Sequence, residues 1–158
     1  MQGSRFGPAT VLSHLPIAPS DNYILYAEDN ITDYTFFERA FKKVSPHMDL
    51  QHVANGKLAR DFLLRQIEHE RPLPRALVLD IKMPGLTGIE LLKYIRAQEA
   101  LHNLPVIILS ASEEKRDMEE AYAQRTNAYL VKPGRYSELR QMVQTITEFW
   151  LHYNRIPR

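Results

Sequence analysis

In Ala76-Leu77-Val78-Leu79-Asp80, four apolar residues in succession end on a carboxylate, and this pattern indicates the fold class of the chain. A strand with one face in water alternates apolar and polar residues, whereas a strand covered by helices on both faces is apolar throughout. The runs Ile24–Tyr26 and Val106–Leu109 have the same continuous character. These strands are therefore predicted to lie in a parallel sheet between two layers of helices.

Five short β-rich runs alternate with five amphipathic helical patterns along the chain. Because strands separated by helices form right-handed parallel crossovers, this order predicts one α/β domain with a doubly wound (βα)5 sheet. Ser112 is predicted to cap the fourth helix, and the apolar stripe of the last helix is predicted to run from Leu139 through Phe149 and Trp150. The predicted strands are Tyr23–Ala27, Leu50–Val53, Ala76–Leu79, Val106–Leu109 and Tyr129–Val131.

Length and composition narrow the functional classes. The 158 residues fit one domain, and the net charge of +1 gives no indication of a nucleic-acid partner. The absence of cysteine excludes disulfides and thiolate catalysis, and no apolar run approaches the roughly 18 residues of a membrane span, so a cytoplasmic protein is expected. Prolines without periodicity predict a flexible N-terminal arm at residues 1–20, followed by a domain at 21–152 and a short tail at 153–158.

Chemically active residues follow the predicted strands at one edge of the sheet. Glu28 and Asp29 follow the first strand, Asp80 the third, Ser110 the fourth and Lys132 the fifth. The carboxyl ends of parallel strands meet at one crevice, which is where open α/β sheets bind their ligands. Each residue alone is typical of a helix cap or a loop. Their joint occurrence at four strand ends indicates one site.

These residue types suit phosphoryl chemistry with a divalent cation. Crowded carboxylates repel one another unless a cation joins them, and Mg²⁺ typically binds one or two carboxylates together with water and phosphate. Lys132 can neutralise phosphate oxygens as a point charge, and the Ser110 hydroxyl can donate a hydrogen bond to another. A carboxylate such as Asp80 can attack phosphorus and form an acyl phosphate.

Four motifs carry a family resemblance. They resemble the receiver domain of bacterial two-component response regulators, over about residues 21 to 150. The resemblance implies a flavodoxin-like fold with strand order 2-1-3-4-5, a switch phosphorylated by a histidine kinase, and slow self-hydrolysis rather than enzymatic turnover. The motifs are Ile24-Leu25-Tyr26-Ala27-Glu28-Asp29-Asn30, Leu79-Asp80-Ile81-Lys82-Met83-Pro84-Gly85-Leu86-Thr87-Gly88, Ile108-Leu109-Ser110-Ala111 and Tyr129-Leu130-Val131-Lys132-Pro133.

The resemblance also implies a role for each residue of the site. The implied roles are Asp80 as phosphoacceptor and metal ligand, Glu28 and Asp29 as the acidic pair that organises Mg²⁺, Lys82 as a metal ligand through its backbone carbonyl, Lys132 as the phosphate-binding lysine, Ser110 as the hydroxyl of the switch and Tyr129 as its rotating aromatic.

Two departures from the family pattern are present. Arg125-Thr126 stands where members usually have Gly-Ala, which is expected to reshape the loop near Lys132 or to alter partner choice. The long loop Glu68–Arg75 and the closing segment Phe149–Leu151 resemble single-domain regulators that partner bacterial phytochromes. Only eight residues follow Trp150, so the signal is expected to leave by protein contacts, including a homodimer face, or by onward phosphotransfer to another domain.

Two other functions are compatible with some of these residues. A haloacid-dehalogenase-like phosphatase also uses a strand-end aspartate, but its motif carries a second aspartate where this chain has Lys82, and its acidic pair comes late in the chain. A receiver fold that acts only as a phosphorylation-independent interaction module is the other alternative. The intact set of acids, hydroxyl and lysine argues against it.

Overall fold

The computed structural model describes residues 21–157, in which five strands and five helices alternate. The predicted arm at residues 1–20 lies outside the described part. The elements are β1 (Tyr23–Ala27), α1 (Ile31–Val44), β2 (Asp49–Val53), α2 (Gly56–Glu68), β3 (Ala76–Leu79), α3 (Gly88–Ala97), β4 (Val106–Ser110), α4 (Lys115–Ala123), β5 (Ala128–Val131) and α5 (Tyr136–Thr147), with a π-helical turn at Glu148–Tyr153.

All neighbouring strands pair in parallel, in the order β2-β1-β3-β4-β5. This order confirms the predicted doubly wound sheet of the flavodoxin-like type. The strand bounds differ from the prediction by one residue at most, at β2, β4 and β5. Within residues 21–157, no helix combines the length and the apolar character that a membrane crossing requires.

The apolar core lies in two layers, one on each face of the sheet. Leu77 and Leu79 of β3 pack with α2 and α3, whereas Ala76 and Val78 of the same strand pack with α1 and α5. Successive side chains of a strand point to opposite faces, so a strand buried on both sides must be apolar at every position. This explains the run that the sequence shows at Ala76–Leu79.

Side-chain caps begin three of the helices. The side chain of Asn30 accepts a hydrogen bond from the backbone N–H of Asp33 in α1, and Asn55 does the same for Leu58 in α2. Thr87 and Glu90 form a reciprocal capping box at the start of α3. Each of these caps lies in the loop that follows the carboxyl end of a strand. The capped helices therefore begin at the same edge of the sheet.

The predicted cap of the fourth helix is wrong. α4 begins at Lys115, after Glu114, and has no side-chain cap. The Ser112 hydroxyl instead accepts from the Glu114 backbone N–H and donates to the Asp117 carboxylate. Because that carboxylate lies in the first turn of the helix, it draws the hydroxyl away from a capping position.

The end of the last helix also departs from the sequence pattern. α5 stops at Thr147, and in the π-helical turn that follows, the backbone N–H of Asn154 donates to the carbonyl of Phe149 at 2.7 Å. Leu151 is 2% exposed and lies in the core, whereas Phe149 is 48% exposed, so the predicted stripe is wrong at Phe149.

The long loop between α2 and β3 is tied to the core rather than extended into solvent. The carbonyl of Pro72 accepts hydrogen bonds from the Tyr23 hydroxyl and the Gln66 side chain, both at 2.7 Å. The guanidinium of Arg75 donates to the carbonyl of Leu151 at 3.2 Å. The loop and the C-terminal turn are thus joined at the edge of the sheet remote from Asp80.

Candidate functional site

Asp80 lies directly after β3 and is held at both carboxylate oxygens. Its Oδ1 accepts from the backbone N–H of Ile81 at 2.7 Å, and its Oδ2 accepts from Lys132 Nζ at 2.8 Å. The residue is buried, with 8% of its surface exposed. Its backbone N–H donates to Ala27 at the end of β1, which fixes the carboxylate beside the residues that follow β1.

The loop from Ile81 to Gly88 returns close to Asp80, and glycine at position 88 makes this return sterically allowed. A Cβ atom on Gly88 would lie 2.1 Å from the Asp80 carbonyl oxygen and 2.5 Å from Leu79 Cδ1. The backbone N–H of Gly88 donates to the Ile81 carbonyl at 2.9 Å, which closes the loop at this point. The start of α3 is therefore packed directly against the backbone of Asp80.

Lys132, after β5, uses its three ammonium protons on three carboxylates. Nζ donates to Glu28 Oε1 at 2.7 Å, to Asp33 Oδ2 at 2.7 Å and to Asp80 Oδ2 at 2.8 Å. Burial lowers the pKa of Lys132, but the hydrogen bonds to Asp33, Asp80 and Glu28 outweigh it and raise the net pKa above its ordinary value. The ammonium is thus a permanent positive charge at the centre of the strand ends.

Glu28 is the buried member of the acidic pair and is 1% exposed. Its carboxylate accepts from the Tyr26 hydroxyl at 3.1 Å and from the Asn30 backbone N–H at 3.2 Å, in addition to Lys132. Burial raises the pKa of Glu28, and the contact with Lys132 opposes that rise only in part. Asp29, its neighbour, is exposed.

Glu28, Asp29 and Asp80 each place a carboxylate oxygen within 4.8 Å of the others. Oxygen donors from carboxylates are the ligands that hard divalent cations prefer, and a shared cation removes the mutual repulsion of such a cluster. The three residues therefore fit a divalent cation. Lys82, two residues after Asp80, is exposed and borders the same depression as Asp80 and Ser110.

Ser110 and Tyr129 lie on neighbouring strands at the same edge. Ser110 ends β4, is 1% exposed, and accepts from the backbone N–H of Ser112 at 3.2 Å. Tyr129 is half-buried in β5, and its hydroxyl donates to the carbonyl of Ser112 at 3.0 Å. Burial raises the pKa of Tyr129, so its hydroxyl stays a donor at neutral pH. Both side chains thus contact the loop that follows β4.

Asp33 is the residue of this arrangement that the sequence reasoning missed. It lies in the first turn of α1, four residues after Asp29, and its carboxylate shares the Lys132 ammonium. An acidic residue in a first helical turn usually interacts with the helix N-terminus, so the sequence favours a capping role. Asp33 follows the end of β1, at the edge of the sheet where the sequence also places Lys132. That shared position is the signal that could have identified Asp33 as a residue of the site.

Arg125 and Thr126 form a turn held by other side chains. Arg125 has a backbone φ of 64°, a conformation that favours glycine, and its carbonyl accepts from Arg96 at 2.9 Å. Thr126 is buried, and its hydroxyl, which has a single proton, lies within hydrogen-bonding distance of two carbonyls, those of Val106 at 3.1 Å and Ala128 at 2.9 Å. The larger residues are thus accommodated at the start of β5, while their effect on partner choice stays a prediction.

Comparison with known proteins agrees with this geometry. A sequence model described as the response regulator receiver domain matches residues 24–144. The chain belongs to the response regulator receiver family. As a receiver domain, it functions in two-component signalling, in which the partner is a histidine kinase. Receiver domains bind a divalent cation at an acidic pocket, and Glu28, Asp29 and Asp80 form such a pocket here.

Several relatives cover nearly the whole receiver domain. The probable methanogenesis regulatory protein FilR2 of Methanothrix harundinacea is 35% identical over 85% of this chain and 86% of FilR2. Response regulator Rcp1 of Synechocystis is 32% identical over 85% of this chain and 92% of Rcp1. A crystal structure of the Mn²⁺-bound form of response regulator Rcp1 has a TM-score of 0.72 at 29% identity, over 87% of this chain and 99% of that one. The phosphorylated cyanobacterial phytochrome response regulator RcpA has a TM-score of 0.78 at 29% identity, over 88% of this chain and 100% of RcpA.

Proposed function

We propose that Asp80 accepts a phosphoryl group from a histidine kinase with Mg²⁺ as cofactor, and that the acyl phosphate switches the surface that binds the next protein. The observation that carries this proposal is the direct contact of Lys132 Nζ with Asp80 Oδ2 at 2.8 Å, beside the cluster of Glu28, Asp29 and Asp80. A nucleophilic carboxylate, a cation site and a fixed ammonium are what phosphoryl transfer to an aspartate requires.

The chemistry is a transfer between two nucleophiles. A carboxylate oxygen of Asp80 attacks the phosphorus of the kinase phosphohistidine, an O–P bond forms, and the P–N bond breaks. The electron pair of that bond remains on the imidazole nitrogen. In the return reaction, water attacks the phosphorus and loses a proton to solvent, the O–P bond breaks, and inorganic phosphate leaves the regenerated carboxylate. The domain thus promotes its own phosphorylation and slow dephosphorylation.

Each residue of the site has a part in that transfer. Bound Mg²⁺ would neutralise charge on the transferring group, held by Glu28, Asp29, Asp80 and the backbone carbonyl of Lys82. Lys132 donates hydrogen bonds to the phosphoryl oxygens and holds them near the nucleophile. The backbone N–H of Ile81 orients the Asp80 carboxylate through its 2.7 Å hydrogen bond.

Ser110 and Tyr129 are the proposed readout of the acyl phosphate. Once the Ser110 hydroxyl donates to a phosphoryl oxygen, the loop after β4 is drawn toward Asp80. That loop includes the Ser112 carbonyl, which now holds the Tyr129 hydroxyl at 3.0 Å. Its movement releases the tyrosine to a new rotamer. A changed surface on α4, β5 and α5 then forms the contact with a downstream protein, a phosphotransfer domain or a second copy of this chain.

The kinase is proposed to be of the bacteriophytochrome class. The similarity to Rcp1 and to the phytochrome response regulator RcpA, over most of both chains, supports this choice. Transfer from a purified phytochrome kinase should be much faster than transfer from a kinase of an unrelated sensor class. Equal initial rates from both kinases would refute the assignment.

The proposal is tested by labelling with a small phosphodonor. Wild-type protein incubated with radiolabelled acetyl phosphate and Mg²⁺ should take up acid-stable, alkali-labile label, and Asp80→Asn should take up none. Asp61→Asn is the matched control, because it makes the same change at a carboxylate on α2 whose ion-pair partner is Arg60, outside the site. Label that persists in Asp80→Asn would refute the phosphoacceptor. Absence of label from the wild type would favour the interaction module instead.

A further inference from the structure

Asp33 shares the Lys132 ammonium with two other carboxylates, those of Glu28 and Asp80. Its Oδ2 lies 2.7 Å from Lys132 Nζ, as close as any of the three contacts. The two residues are separated by 99 positions in the chain and come from α1 and the end of β5. Asp33 therefore connects the first helix to the lysine that faces the proposed phosphoacceptor.

The position of Asp33 is fixed by the start of α1. Its backbone N–H donates to the Asn30 side chain at 3.0 Å, so the residue belongs to the capped first turn. A carboxylate in the first turn is favoured by the partial positive charge of the helix N-terminus. The Asp33 side chain is 38% exposed, whereas that of Lys132 is 16% exposed, so Asp33 holds the solvent side of the ammonium.

Asp33 differs from the other two partners of Lys132 in its relation to the metal cluster. Glu28 and Asp80 belong to the trio of carboxylates that fit a divalent cation, and Asp33 does not. A bound cation competes with Lys132 for oxygens of Glu28 and Asp80, because both positive groups need the same lone pairs. The contact with Asp33 involves no oxygen of that trio and is therefore free of this competition.

We propose that Asp33 is the positioning residue of Lys132: it holds the ammonium over Asp80 when a cation occupies the carboxylate cluster. One ammonium proton stays on Asp33, and the other two are directed at the oxygens of the acyl phosphate. Lys132 would otherwise have to be recruited from solvent-exposed rotamers at each transfer, with a loss of side-chain entropy. This inference rests on the proposed function of Asp80 as phosphoacceptor.

Two substitutions separate positioning from charge. Asp33→Ala removes the acceptor and should lower the initial rate of labelling by acetyl phosphate about fivefold, as expected for a partly exposed, charge-assisted hydrogen bond. Asp33→Asn keeps a carbonyl acceptor without the charge and should restore at least half of that loss. Glu38→Gln is the control, because it removes a carboxylate on the same helix that bonds Tyr34 and Lys42 rather than Lys132.

The ammonium itself gives a readout that does not depend on labelling. With lysine labelled in its side-chain nitrogen, wild type and Glu38→Gln should show a protected Lys132 ammonium signal in nuclear magnetic resonance spectra, with and without Mg²⁺. The signal is assigned by its absence in Lys132→Arg. In Asp33→Ala it should broaden by exchange with water when Mg²⁺ is added.

Each outcome decides one claim. If both Asp33 variants label as fast as Glu38→Gln and keep the ammonium signal, the positioning role is refuted while the phosphoacceptor stands. If Asp33→Ala labels faster than wild type, Asp33 competes for Lys132 instead of positioning it, and the proposal is equally overturned. If wild type takes no label, the failure lies in the proposed function of Asp80, and the inference falls with it.

Discussion

Replacing Gly88 with alanine tests how closely the start of α3 is packed against the proposed phosphoacceptor. Helix propensity alone predicts a gain, since alanine is favoured over glycine in a helix by up to about 1 kcal/mol. The structure predicts the opposite, because the new Cβ would lie 2.1 Å from the Asp80 carbonyl oxygen and 2.5 Å from Leu79 Cδ1. The first of these separations is about 1 Å shorter than real Cβ contacts.

The strain cannot be relieved by rotating a flexible side chain. The nearest atom belongs to the backbone of Asp80, and Gly88 is itself tied to the Ile81 carbonyl at 2.9 Å. Overpacking of this kind costs about 1 to 3 kcal/mol and exceeds the propensity gain. We expect Gly88→Ala to lower the free energy of unfolding by about 2 kcal/mol and the urea midpoint by about 1 M. Labelling of Asp80 should slow as well, because its carboxylate shifts relative to Lys132.

Gly134→Ala is the matched control, since a Cβ at that position meets no atom within 4 Å. Urea unfolding followed by circular dichroism gives the stability, and acetyl phosphate labelling gives the activity. The control should stay within about 0.5 kcal/mol of wild type and label normally. If Gly88→Ala is as stable and as readily labelled as Gly134→Ala, the argument that Gly88 positions Asp80 is wrong.

Three further perturbations have defined expectations. Burial raises the pKa of Glu28, so the contribution of its neutral form to stability is present below its ordinary pKa and is lost as the pH rises. Without divalent cation, Glu28→Gln should therefore be more stable than wild type at neutral pH, and urea titrations should show that this difference disappears toward about pH 4. Lys132→Ala should leave Mg²⁺ binding largely intact by calorimetry but lower the free energy of unfolding by about 2 kcal/mol. The same variant should lose the phosphorylation-dependent change in partner binding. A change in partner binding equal to that of wild type would exclude Lys132 from the switch. Arg125→Gly should raise the free energy of unfolding by about 0.5 to 1 kcal/mol, because the backbone φ of 64° at this position favours glycine. Arg125→Ala should bring no such increase. Equal melting curves for the two variants would contradict backbone strain at Arg125.

The fold could be predicted from local patterns, because a strand that is buried on both faces of a sheet has an apolar residue at every position. Ala76–Leu79 is apolar at every position since each residue meets one of the two helical layers. The prediction failed where a backbone choice depended on tertiary context. In the π turn at Glu148–Tyr153, Leu151 rather than Phe149 lies in the core, and no local signal in the sequence indicates that turn.

The residue types of the site could also be predicted, from the residues that follow each strand. Parallel strands bring their carboxyl ends to one edge, so Glu28, Asp80 and Lys132 could be expected to meet there. Asp33 could not be identified in this way, because its contact with Lys132 depends on the direction of a side chain on α1. The sequence pattern does not indicate that direction. The roles assigned to these residues in phosphoryl transfer stay predictions until the labelling experiments are done.

The parallel five-stranded architecture and the chemical groups at its edge follow from the amino-acid sequence, because the hydrophobic period and the position of a residue at a strand end are local properties. Which of these groups contact one another depends on the tertiary structure. Lys132 meets Glu28 and Asp33 from 104 and 99 residues away, at 2.7 Å in both cases. Those distances depend on how each helix packs on the sheet and on the direction of each side chain, and packing is a property of the folded chain as a whole.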